Sequence, residues 1–347
     1  MTIYNVAIIG CGMMGREHIQ SLIHIPGVTI RYLCDPYVDR AKALLPKEEQ
    51  YTVKTFADEH TLFEHHRGEI DVVVIATPNF LHTASLLLWG TVEGLSILVE
   101  KPVAVDQTQL EALSAHNNSF KANIWVGMEY RYMAPIQVLR RELPSVGTVR
   151  QITIRENRYP FLAKVGEWNR RTSLTGDTFV EKCCHFFDLF FLLGGDTTVV
   201  RCESLATRSV DSSTEMIDGG YVLLELSNGV MCCLELTMYA EGARFQEEIV
   251  ITGDKGRLEA YLPEMSVYKY LRPDASVWTR RTEPPPPVTP QIFRLEATSP
   301  HVGYHHGSTY REWLHFFEQM RKEQFVPAVS LEDGMRAVEC GLCATPR

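Results

Sequence analysis

The chain has 347 residues, 45% of them hydrophobic and 22% charged, enough for two globular domains of ordinary size. A net charge of −9 offers no attraction to nucleic acid or to an anionic membrane surface, so neither is expected as a partner. No apolar run reaches the ~18 residues of a membrane span and no basic segment opens the chain as in a secretion signal, so a cytoplasmic protein is expected.

Val6 to Ile9 reads as a short apolar strand running into Gly10-Cys11-Gly12-Met13-Met14-Gly15, with a helical pattern from Arg16 to Ile25. In this Gly-x-Gly-x-x-Gly arrangement Gly10 allows the tight turn, Gly12 lets a pyrophosphate approach the backbone, and Gly15 lets helix and strand pack closely. The helix start around Met13 and Met14 offers unpaired N–H groups and partial positive charge to a diphosphate. The next apolar run, Val28 to Cys34, ends in Asp35, 20 residues beyond Gly15. An acidic side chain there accepts hydrogen bonds from both hydroxyls of an adenosine ribose. Together these features predict a bound dinucleotide; a glycine-rich turn without a nucleotide is the plain alternative. A carboxylate about 4 Å from a 2′-phosphate costs roughly 1 to 4 kcal/mol, so NAD is expected over NADP. Arg40 is the only nearby base placed to soften that preference.

A helical stretch with Ala41, Leu44 and Leu45 and a polar connection follow, then Ile70 to Ala76, a β-branched run that reads as a parallel strand buried on both faces. Thr77-Pro78-Asn79 breaks it, and His82 to Trp89 is helical in pattern. Ser96 to Glu100 is another buried strand, ending in Lys101-Pro102, and Asn123 to Met128 closes this half. Strands separated by helices predict a doubly wound parallel sheet, an α/β Rossmann domain over residues 1–125. Ligands of such sheets sit beyond the C-terminal strand ends, where Gly10, Asp35, Thr77, Pro78, Glu100 and Lys101 fall.

Residues 126–347 read as an α+β domain for substrate binding and oligomerisation. A helix at Pro135–Leu143, a strand at Val149–Arg158 and one apolar helix over Thr178–Leu193 come first. Strand-like runs then follow without helices between them: Val199–Leu205, Gly220–Leu226, Val230–Met238, Gln246–Ile251 and Arg257–Leu262. They predict a large open, mainly antiparallel sheet. Its uncovered face calls for a homodimer or homotetramer packed through it. Residues 273–308 read as loop, with Pro284–Pro287 an extended polyproline stretch or a proline-recognition motif. Helices at Thr309–Lys322 and Leu331–Leu342 close the chain.

The nine cysteines are odd in number and irregularly spaced, which suits reduced thiols. Cys340-x-x-Cys343 has no second pair or histidine at ligand spacing, so it reads as helix packing and no metal is expected. Lys101 lies between Glu100 and Pro102 at the sheet edge where a nicotinamide belongs. A cofactor cation and apolar strand ends would lower its pKa and suit it to proton transfer; the plain alternative is pairing with Glu100 or capping a loop. In Thr178–Asp188, a continuous helix would put Glu181, His185 and Asp188 on one face. A carboxylate one turn before an imidazole can orient it as a general base; a satisfied core histidine and half a metal site remain open.

These residues resemble the Gfo/Idh/MocA family, named for glucose–fructose oxidoreductase, inositol dehydrogenase and a rhizopine-catabolism protein. The resemblance rests on the glycine motif and Asp35, on Ala76-Thr77-Pro78-Asn79-x-x-His82 and on Glu100-Lys101-Pro102. It continues through Val126-Gly127-x-x-x-Arg131, Gly176 to Gly194, and Val329-Ser330-x-x-Asp333-Gly334-x-x-Ala337-Val338. The resemblance implies a catalytic lysine at Lys101 and places the family's acidic-x-x-x-His element on Glu181 and His185. Inositol dehydrogenases of the family carry Asp where this chain has the longer Glu181, and Asp177 stands where many relatives have glycine. Lys164-Val165-Gly166-x-Trp168-Asn169-Arg170 is similar to a loop of inositol-dehydrogenase-like relatives and is a candidate substrate loop. Arg131 and His306 join it as candidate substrate neighbours, and Asn79 and His82 as candidate cofactor neighbours. The implied reaction is reversible NAD-dependent oxidation of a secondary alcohol on a sugar, polyol or cyclitol. Lys101 or His185 would take the hydroxyl proton while Glu181 holds the histidine. An NAD-dependent glycosidase, a dihydrodiol dehydrogenase and a non-enzymatic nucleotide-gated binding protein are the alternatives. The presence of both Lys101 and His185 speaks against the last.

Overall fold

The computed structural model of the protein describes residues 3–272, 283, 287–296 and 298–346. Most of the Pro284–Pro287 run and the side chain of Arg40 lie outside the described residues.

Six parallel strands form the first sheet: β1 (Tyr4–Ile9), β2 (Val28–Cys34), β3 (Lys54–Phe56), β4 (Val72–Ile75), β5 (Ser96–Glu100) and β6 (Asn123–Gly127). Their order is β3-β2-β1-β4-β5-β6, so chain direction across the sheet reverses between β1 and β4 and opens a crevice there. Ile9 pairs with both Cys34 and Ile75, which brings Gly10, Asp35 and Ala76 to one level at the crevice. The central strands β4 and β5 are buried along their whole length and nearly all apolar because both faces are covered. Ala7, Ile9, Val73 and Ile75 belong to one core, and Val6, Ile8, Val72 and Val74 to the other. β3 lies where the sequence reads as a polar connection; a three-residue edge strand has too little apolar pattern to announce itself.

Helices α1 (Met13–Leu22), α2 (Glu59–His66), α3 (His82–Trp89), α4 (Gln107–His116) and α5 (Ala134–Glu142) connect or follow these strands. One break, at Lys182 and Cys183, then yields α6 (Thr178–Glu181) and α7 (Cys184–Gly194) in place of the single helix expected over Thr178–Leu193. The Cys183 N–H reaches back to the Thr178 carbonyl at 3.2 Å, a widened turn that frees the Glu181 carbonyl from the helical ladder.

The second sheet contains β7 (Val149–Asn157), β8 (Val199–Thr207), β9 (Gly219–Leu226), β10 (Met231–Thr237), β11 (Glu247–Gly253), β12 (Gly256–Leu262), β13 (Ser266–Leu271) and β14 (Gln291–Arg294). The order is β14-β13-β12-β11-β7-β10-β9-β8, antiparallel except where β7 meets β10. β14 falls in the stretch that reads as loop, a four-residue edge strand recruited by pairing with β13. Ile152, Ile154, Leu234 and Ile249 face inward, in the core shared with Phe186, Phe187 and Phe190 of α7. The outer face carries Leu205, Tyr221, Leu223 and Met231 in the open. Helices α8 (Ser308–Met320) and α9 (Leu331–Ala344) end the chain. α8 returns to the first sheet: Trp313, Phe316 and Phe317 share a core with Val6, Ile8 and Ile19.

Candidate active site

The glycine turn packs as its spacing demands. Gly10 has φ +86°, and a Cβ there would run into the Ala76 carbonyl. A Cβ on Gly15 would meet the Gly10 carbonyl, whereas the space around Gly12 is open, with nothing within 4 Å. Gly12 is the N-cap of α1 and no side chain caps it, so the amides around Met13 and Met14 are available to an anion. Asp35 is anchored through both oxygens: Oδ2 accepts the Cys11 N–H at 2.8 Å and Oδ1 the Tyr37 N–H at 2.7 Å. Past Pro78, Asn79 is buried, and its Nδ2 has no hydrogen-bond partner among the described residues; the same holds for Thr77 Oγ1. Open space at Gly12, an anchored carboxylate and these orphaned polar atoms fit a dinucleotide lying across the strand ends.

His82 has a different task. Its ring nitrogens lie 2.7 Å from the Pro102 carbonyl and 2.8 Å from the Thr77 carbonyl, so it ties the β4 and β5 ends together and has neither nitrogen left for a cofactor. Glu100 is buried with Oε1 2.8 Å from His18 Nε2. The Trp313 indole N–H donates to His18 Nδ1 at 3.0 Å, which leaves Nε2 as the N–H facing Glu100. Burial pushes the Glu100 carboxyl up, but the His18 hydrogen bond and nearby Lys101 outweigh it and hold the pKa below its ordinary value.

Lys101 Nζ donates to the freed Glu181 carbonyl at 2.9 Å. Its pKa moves opposite to the expected direction. Burial lowers it, yet Glu181, Cys184, Glu129 and Glu100 surround the ammonium and raise it well above normal. His185 moves the other way, driven far down by burial and then by the positive Lys101 and Lys182. The imidazole stacks on Tyr130 with centroids 4.5 Å apart. Its Nδ1 has no partner among the described residues.

The break between α6 and α7 alters what accompanies His185. The Glu181 carboxylate lies 3.8 Å from Lys164 Nζ, and among the described residues no bond joins it to His185. The carboxyl beside the imidazole is Glu129, whose Oε1 is 3.5 Å from Nε2. Burial, with Glu100 nearby, pushes Glu129 up to about 8. Asp188, expected on the same face, instead accepts from Arg131 Nε at 2.7 Å. Arg131 is thus spent on a buried pair with Asp188 and approaches Asp333 at 3.6 Å, a strut rather than a substrate contact.

The candidate substrate loop divides by role. Asn169 is buried and braces the loop, accepting the Lys164 N–H and donating to the Leu162 carbonyl, each at 2.9 Å. Arg170 donates to the Phe161 carbonyl. Lys164 sits over the Trp168 ring at 4.7 Å, and Trp168 meets Phe80, beyond β4, edge-on. Burial lowers the Lys164 pKa. On the segment before α8, the ring reaching the cluster belongs to His305, with Nε2 3.2 Å from Glu129 Oε1; His306, favoured from sequence, takes the left-handed φ of 54° beside it.

Sequence reasoning missed Glu129, Tyr130, Lys182 and His305. Glu129 and Tyr130 occupied the unread positions of Val126-Gly127-x-x-x-Arg131, at the same sheet edge as Lys101, and that placement was the available signal. His305 carried none. Beneath the site, Tyr130 OH donates to Glu247 at 2.7 Å and accepts from Lys182 Nζ at 2.8 Å, while Lys182 also lies 3.2 Å from Glu156. This network seats the Tyr130 ring against His185.

A doubly wound sheet whose crevice meets titratable side chains on α7 and the strand ends is the architecture of a dinucleotide-dependent oxidoreductase. Residues 4–128 match the NAD-binding Rossmann fold of the Gfo/Idh/MocA oxidoreductase family and residues 144–345 match that family's C-terminal α/β domain, so the chain belongs to this family. Inositol 2-dehydrogenase of Arthrobacter sp. (strain FB24) is 28% identical over 267 residues, covering 72% of this chain and 74% of the relative. Levoglucosan dehydrogenase, solved with NADH and levoglucosan, has a TM-score of 0.80 at 16% identity, covering 99% of this chain and 96% of its own. An oxidoreductase from Agrobacterium radiobacter, solved with NAD+, L-tartaric acid and magnesium, has a TM-score of 0.78 at 18% identity, covering 99% and 95%. Among the described residues no helix is long and apolar enough to cross a membrane, and no cluster of His, Cys, Asp and Glu is arranged to hold a metal ion.

Proposed function

We propose that this protein is an NAD-dependent dehydrogenase oxidising a secondary alcohol of a sugar, polyol or cyclitol. The observation that carries this reading is the convergence of half-buried Lys101 and buried His185 on one set of charged groups at the end of β5. The named relatives support the substrate class: one is an inositol dehydrogenase and another a levoglucosan dehydrogenase. Gly10, Gly12 and the amides around Met13 and Met14 would hold the diphosphate, Asp35 the adenosine ribose, and Thr77 and Asn79 the portion nearer the ring. NAD, when bound, supplies the hydride acceptor. Lys101, kept charged by its carboxylates, would stabilise the developing alkoxide, and neutral His185 would take the hydroxyl proton. Lys164 and Trp168 would line the substrate approach.

Two further parts belong to this proposal. The division into residues 1–125 and 126–347 is supported by the two separate sheets, although the last two residues of β6, Val126 and Gly127, fall beyond that boundary. A homodimer or homotetramer packed through the second sheet would cover Leu205, Tyr221, Leu223 and Met231; a cytoplasmic setting suits the free cysteines. The test is NAD reduction, followed by absorbance, across inositols, aldoses and sugar acids, with wild type and Lys101→Met compared. Turnover should fall at least ~10²-fold in the variant. Near-normal turnover by Lys101→Met ends the proposal.

A further inference from the structure

Resting on that reading, we infer that Glu129 is the group that receives the substrate proton from His185, and that His305 holds its carboxyl in place for the transfer. Glu129 Oε1 lies 3.5 Å from His185 Nε2 and 3.2 Å from His305 Nε2, so one oxygen is shared by two imidazoles from separate parts of the chain. The side chains of His185 and Glu129 are 3% and 2% exposed, so a proton on His185 has no direct route to water. Both Glu129 oxygens and His185 Nδ1 lack hydrogen-bond partners among the described residues. A buried carboxyl flanked by two imidazoles, with neither contact closed into a hydrogen bond, is costly as an anion and gains by accepting a proton.

The chemistry needs only proton movement. The alcohol O–H bond breaks as an N–H bond forms at His185 Nδ1. The imidazolium then loses its Nε2 proton, and an O–H bond forms on Glu129. The oxidant is the NAD+ of the reading above, and the electron pair leaves with the hydride. The order of proton affinities favours this direction, since His185 is driven far down while Glu129 is pushed up to about 8. The groups facing Glu129 are Glu100 and Lys101 at the β5 end, Lys182 between α6 and α7, His185 on α7, His305, and Glu312 on α8. Lys101 and Lys182 favour its charged form; burial and Glu100 oppose it.

The experiment compares wild type, Glu129→Gln, Glu129→Asp and His305→Ala, each first checked for NADH binding by fluorescence. Oxidation should require Glu129 as the carboxylate, so wild-type kcat/KM rises with pH through a midpoint near 8 and levels off above it. Glu129→Gln should lose ~10²-fold and show no such limb, Glu129→Asp should restore the limb, and His305→Ala should displace its midpoint. A Glu129→Gln enzyme with the wild-type limb overturns the inference. A second measurement needs no substrate: NAD+ binding near pH 7.5 in weak buffer, with an indicator dye reporting released protons. The cationic ring should expel part of a proton from wild type and none from Glu129→Gln. Equal release by both overturns the inference. Release that depends on Glu129, in a protein that oxidises no alcohol, sinks the function above and supports the proton-holding role of Glu129.

Discussion

Asp35 shows how one side chain is prepared for a ligand by backbone alone. Two amide N–H groups, from Cys11 and Tyr37, pin its oxygens at the β2 end and keep its charge in the crevice. Replacing it by Ser removes a repulsion toward a 2′-phosphate of roughly 1 to 4 kcal/mol. The ratio of kcat/KM for NADP over NAD should therefore rise about five-fold or more in Asp35→Ser; an unchanged ratio would mean the carboxylate is not beside the ribose. Glu129 gives a pH prediction at the same scale. Its folded-state pKa, about 8, lies above its ordinary value of 4.5. Between those limits the folded chain keeps a proton that the unfolded chain has released, so stability falls as pH rises through that window. Melting temperatures from pH 5 to 8 should drop less for Glu129→Gln than for wild type. Asp177 is a third case. It holds φ 72° in a conformation natural to glycine, and its Oδ1 accepts the Thr178 and Ile217 N–H groups, offsetting the strain.

At the scale of elements, the break between α6 and α7 decides the site. An unbroken helix would spend the Glu181 carbonyl on the His185 N–H and leave Lys101 without its acceptor. The residues in the break are used as well. Lys182 is buried against Glu156 and Glu247, and Glu156 is pushed up to about 8 by burial despite that cation. Lys182→Met would leave Glu156 and Glu247 facing each other with Arg158, 3.6 Å from Glu156, as the cation that remains. Denaturant unfolding should show a loss of about 3–5 kcal/mol, the usual result of stripping one partner from a buried ionic group. A loss near zero would mean both carboxyls are already neutral in the wild type.

For the whole molecule, the two sheets depend on each other. The first is covered on one face by α8, which lies beyond the second sheet in sequence; Trp313 and Phe316 fill that face and the Trp313 N–H fixes the His18 tautomer. The second sheet has an outer face with Leu205 77% and Leu223 54% exposed. Apolar side chains in such a row are costly in water and suit contact with another copy. Sedimentation should give a dimer or tetramer for wild type and a smaller species for Leu223→Glu; a monomeric wild type removes the oligomer from the proposal.

The parallel sheet, the glycine turn, Asp35 and the position of Lys101 were legible along the chain, because local period and spacing report burial and turn geometry directly. Glu129, His305 and the return of α8 were not, since a contact between residues far apart in sequence leaves no periodic trace. The partner of His185 was misread for a related reason: the spacing of Glu181 assumed an unbroken helix. At the break the Lys101 ammonium takes the Glu181 carbonyl from across the fold, a contact that the local spacing of residues does not carry.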